Sequence, residues 1–122
     1  MKVRGILGAL VLVAATSGEL VGQTALGWGG YYCDRWLEDH PYGTSWSSVS
    51  DAVRSQSHWI FGYLSASGYT YQRVSGILDP AGVMNIDDAI TKWVTKYCQS
   101  RPGDTIERAA RSLVEYLGEG GR

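Results

Sequence analysis

The 122-residue sequence holds one phenylalanine, two methionines, two histidines, two cysteines and three prolines. Two cysteines with His40 and His58 do not fall at zinc-ligand spacing, so no metal site is expected. The cysteines also lie far outside Cys-x-x-Cys spacing, which excludes a redox pair of that kind. Clusters of Lys and Arg are missing. With them goes the electrostatic footprint for nucleic acid or an anionic membrane surface. There is no Gly-x-Ser-x-Gly elbow, no phosphate-cradling glycine loop and no His-Glu-x-x-His helix. No catalytic residue is therefore assigned, no cofactor is implied, and a non-enzymatic binding role is expected. His40 follows Asp39 and lies near Ser45, Ser47 and Ser48. A triad is defined by geometry, and neighbours at a helix end read as solvated groups instead. His58 reads as a surface or half-buried side chain. Asp87 and Asp88 are adjacent, so they do not share a helix face. They read as partners of a helix dipole rather than as an acid/base pair.

A long apolar run is lacking too. Residues 5–15, "GILGALVLVAA", are too short to span a bilayer core of about 30 Å, which needs roughly 20 residues as helix. Their setting is that of a secretory leader: Lys2 and Arg4 before the run, small residues after it. Cleavage after Ser17, Gly22 or Gly27 fits; residues 1–22 are taken as the signal peptide and 28–118 as one helical domain, periplasmic or secreted. If cleavage precedes Glu19, loss of Lys2 and Arg4 leaves 12 acidic against 9 basic residues, a net charge of −3. In an oxidising compartment Cys33 and Cys98 have only each other, and one structural disulfide is expected. Closing a loop of that size stabilises a fold by about 4 kcal/mol in the chain-entropy model.

Four helical segments can be read from the pattern. The first, near 31–40, places Tyr32, Cys33, Trp36 and Leu37 on one stripe. A Pro/Gly turn at 41–45 follows. The second segment, about 47–66, repeats Val49, Ala52, Val53, Trp59, Ile60, Tyr63 and Leu64 at helical spacing, with Gln56 interrupting. Gly62 inside it is expected to mark a close backbone approach. Residues 67–84 read as loop with at most a helical turn. The third helix opens at Asn85, a good N-cap, and carries Ile86, Ala89, Ile90, Trp93, Val94, Tyr97 and Cys98 on one stripe. Arg101-Pro102-Gly103 makes a helix–helix corner. In the fourth, Asp104 and Glu107 form a capping-box-like start, and Gly118 is a natural stop. The expected fold is all-α, a small four-helix orthogonal arrangement with one disulfide.

Five tryptophans and eight tyrosines are the abundant feature. With one phenylalanine and few long aliphatics, some must fill the core, Trp59 and Trp93 among them. Trp28, Tyr31 and Trp36, clustered near the start of the domain, are the candidate partner-contacting residues.

Three stretches, "CDRWL" at 33–37, "WIFGYLSA" at 59–66 and "ITKWVTKYCQSRP" at 90–102, followed by an amphipathic helix, resemble HdeA/HdeB-type periplasmic acid-stress chaperones. The resemblance implies a secreted all-helical domain with a disulfide between its first helix and one near the C-terminus. It also implies a compact dimer at neutral pH. Acid would loosen that dimer and expose apolar surface that holds unfolded client proteins. A similar plan occurs in periplasmic immunity proteins that neutralise type VI secretion amidases, which implies instead a protein partner, a secreted enzyme held by inhibition.

Overall fold

The computed structural model describes residues 27–40 and 51–122. The leader at 1–22, the turn at 41–45, Tyr42, Trp46 and the expected start of the second helix at 47 lie outside the described residues.

Five helices follow a short 3-10 turn at Gly27–Gly30: α1 Cys33–Asp39, α2 Asp51–Ala66, α3 Tyr71–Leu78, α4 Ile86–Ser100 and α5 Ile106–Gly118. The all-α class stands, with one helix more than the sequence pattern showed. The addition is α3, within the stretch read as loop. Thr70 caps it by accepting the Arg73 N–H at 3.2 Å. Its Val74 is buried, and Ile77 and Leu78 pack against the core. Asp79 then ends it, accepting the N–H groups of Val83 at 3.2 Å and Met84 at 2.9 Å. Gly82, at φ +70, completes the reversal into α4.

Asn85 caps α4 as expected, its Oδ1 accepting the Asp88 N–H at 2.8 Å. Ile86, Ala89, Ile90, Val94 and Cys98 form the buried face, while Trp93 and Tyr97 flank it half-buried. The cap of α5 corrects the expectation. Thr105, not Asp104, accepts the Arg108 N–H, at 3.2 Å. Asp104 is committed elsewhere: its carboxylate accepts the Tyr97 hydroxyl at 2.5 Å and its carbonyl accepts the Cys33 N–H at 2.7 Å. The stop of α5 also moves: Gly118 is its last residue, and Gly120 takes the positive φ. Gly62 has open space where a Cβ would stand, so no backbone among the described residues approaches it there.

Tyr32 and Thr105 form an antiparallel bridge. As Cys33 donates to Asp104, Ile106 donates to the Tyr31 carbonyl at 2.8 Å. Cys33 and Ile106 are the first residues of α1 and α5. Each helix thus gives its leading N–H, which has no partner inside its own helix, to the segment that opens the other. α1 has no side-chain cap, and this exchange stands in for one.

The Cys33–Cys98 disulfide sits beside that exchange, with Cα atoms 5.0 Å apart and both residues fully buried. Around it lie Trp36, Ile60, Ile90, Val94, Ile106 and Leu113. α4 and α5 form a hairpin, α1 packs on both, α3 lies on α4, and α2 touches both members of the hairpin.

Candidate functional site: an aromatic corner and a buried polar seam

Two features near α1 carry chemistry beyond packing. The first is an aromatic corner. Trp28 and Tyr31 lie with ring centroids 4.9 Å apart. The Arg35 guanidinium stands 5.3 Å from both rings. Its Nε also donates to Asp39 Oδ2 at 2.9 Å, and that bond chiefly raises the Arg35 pKa above its ordinary value. Tyr31 is 45% exposed and its neighbour Tyr32 59%. Trp28 is half-buried. Gly29 allows the turn to sit this close, because a Cβ built there falls inside the Trp59 indole. The corner therefore joins Trp28 and Tyr31, two of the three residues expected to meet a partner.

Trp36 does not join them. Its side chain is fully buried in the core cluster that holds the disulfide, and its indole N–H donates to Thr95 Oγ1 at 2.9 Å. The sequence stripe placed it beside Cys33 without distinguishing core from surface. Tyr32, on the same expected stripe, is the one that faces out.

The second feature is polar and buried, and sequence reasoning missed it. His40 is 6% exposed rather than solvated. Its ring stacks on Trp36 with centroids 3.8 Å apart and planes 13° from parallel. Its Nδ1 lies 2.8 Å from the Trp36 carbonyl oxygen. Gln56, which interrupts the apolar stripe of α2, is fully buried and donates to Asp39 Oδ2 at 2.6 Å. His40 Nε2, Gln56 Oε1 and Ser57 Oγ are buried without a hydrogen-bond partner among the described residues. Burial lowers the His40 pKa, with the Trp36 carbonyl and the Asp39 charge opposing in part. The available signal was a polar helix end together with a polar residue inside an apolar stripe, and it does not say which groups meet.

At the start of α4, Asp87 is half-buried and its Oδ1 has no partner among the described residues. Burial raises its pKa; His58 opposes this and the Asp88 charge adds to it. On α5, Glu107 accepts from Arg111 at 2.9 Å and from the Tyr63 hydroxyl at 3.1 Å. Among the described residues no cluster of His, Cys, Asp and Glu is built to hold a metal ion. No described helix is long and apolar enough to cross a membrane. A buried disulfide points to an oxidising, extracytoplasmic environment.

No family model, no curated protein and no solved structure matches this chain.

Proposed function

We propose that this chain is a periplasmic or secreted, non-enzymatic binding protein that acts like an acid-stress chaperone, holding acid-unfolded clients on apolar surface that acid uncovers. One observation carries the reading. Every described helix except α3 has a carboxylate in its first turn: Asp34, Asp51, Asp87 with Asp88, and Glu107. Ionised carboxylates at a helix start favour the positive end of the helix dipole. The disulfide survives acid, so the loosened chain stays tied across its core and exposes aromatic surface without expanding fully. Asp87 works against the trend. Its folded pKa lies above the unfolded value, so its charged form opposes folding at neutral pH and that opposition fades as pH falls through the raised value.

The test is light scattering of an aggregation-prone client at pH 2, with and without the protein. Suppressed scattering together with loss of near-ultraviolet circular dichroism is the expected result. A protein that stays native at pH 2 while the client aggregates unimpeded overturns the reading. A second reading, inhibition of a secreted enzyme, draws on the corner of half-buried Trp28 and exposed Tyr31, with exposed Tyr32 beside it. Aromatic residues backed by arginine are typical anchors of a protein interface.

A further inference from the structure

The histidine at the end of α1 has no role in the holding reading. We propose that His40 is a proton-operated latch: proton uptake on its buried ring in mildly acidic solution releases the C-terminal end of α1, with Trp36, from the core. The geometry fixes the tautomer. A carbonyl oxygen only accepts, so Nδ1 carries the hydrogen and donates to Trp36, 2.8 Å away. The lone pair is then on Nε2, which is buried and meets no donor among the described residues. A proton arriving there makes a cation in a site 6% exposed, and gives it an N–H with no acceptor among the described residues.

The described residues around it offer little to hold that cation. On α1, Asp39 is the charged group that acts on His40, and its carboxylate already takes Arg35 and Gln56. From α2 comes Gln56, which is neutral, and from α4 Thr95, also neutral, which binds the indole beneath the ring. Residues 41–50 include no Asp, Glu, Lys, Arg or His. The Trp36 face attracts a cation, but it does not supply the missing acceptor. The ring therefore relieves its charge by leaving for water. Leaving breaks the stack and the Nδ1 bond that close α1.

The lowered pKa of His40 agrees in sign. A histidine whose folded pKa lies below its unfolded value, about 6.5, stabilises the fold fully above that value and progressively less as pH falls toward the folded one. In that window one proton taken up on unfolding raises the unfolding constant by up to about tenfold per pH unit. The window opens at about pH 6.5, above the pH at which carboxylates as a class take up protons, so the latch is separable from acid loosening and stands whether or not the protein holds clients.

The experiment measures urea unfolding from pH 7.5 to 4.5 for the natural chain and His40→Phe. The natural chain is expected to lose stability below pH 6.5 with that slope. His40→Phe, which keeps an aromatic ring on Trp36 but cannot take a proton, is expected to show no such loss down to about pH 5. Parallel curves for the natural chain and His40→Phe overturn the latch. Nuclear magnetic resonance titration of the His40 ring in the natural chain tests the same point without any variant. A midpoint below 6.5 supports the latch; a midpoint at or above 6.5 overturns it.

Discussion

Cys33 and Trp36 of one short helix, and His40 just after it, have three different fates. Cys33 is bonded, Trp36 is walled into the core, and His40 is laid over Trp36 with a ring nitrogen unpartnered among the described residues. An apolar stripe predicts that such residues face one way, and it found Cys33 and Trp36 correctly. It could not tell an interior tryptophan from one that meets a partner, since both occupy the same kind of position. Nor could it find His40, because a polar residue after a helix is ordinarily solvated, and burial beside Trp36 is a tertiary outcome. Truncation separates the two aromatic roles. Trp36→Ala is expected to lower stability by about 3–5 kcal/mol, the range for removing a large buried side chain. Tyr31→Ala, at the exposed corner, is expected to change it by about 0.5 kcal/mol or less. Urea midpoints of the two variants check this, and a Trp36→Ala protein as stable as Tyr31→Ala would contradict the burial.

The helix starts differ in how much of them was legible. Asn85 precedes an uninterrupted stripe, and its capping role followed from local chemistry alone. Asp104 and Thr105 are both good caps, and a pattern cannot choose between neighbours. The choice is made by tertiary contacts: Tyr97 claims the Asp104 side chain and Cys33 claims its carbonyl, so the cap falls to Thr105. Thr105→Ala is accordingly expected to cost about 1 kcal/mol, within the usual range for losing an N-cap. Thermal unfolding followed by far-ultraviolet circular dichroism measures it. α3 stayed hidden for another reason. It is eight residues long, contains Gly76 and lies between Gly68 and Pro80, so its own propensity is poor. Burial of Val74 and the two capping side chains, Thr70 and Asp79, hold it in place.

For the molecule as a whole, the all-α class and the pairing of the cysteines were legible because each had few alternatives. An amphipathic chain without strand alternation packs as helices, and two cysteines permit one bond. The polar seam was not legible, since it exists only where α1 meets α2. Response to pH is the property that belongs to this scale. The proposed latch at His40 responds to mild acid and the proposed client-holding state to strong acid, so acidification is expected to proceed in two stages. Tryptophan emission reports the first, through release of Trp36, and near-ultraviolet circular dichroism the second. The pH 2 scattering experiment then asks whether the second stage does useful work on a client.

The disulfide also makes residues 33–98 a closed ring, with only the flanking segments outside it. The turn between α3 and α4 is an exposed part of that ring, with Val83 79% accessible. A protease that cuts there opens the ring without dividing the molecule. The nicked protein is expected to run as one band without reductant and as two with it. A first cut therefore need not separate the half bearing the aromatic corner from the hairpin it rests on. A chain cut once can remain in register, with its two pieces held at the point where α1 and α5 exchange their first hydrogen bonds.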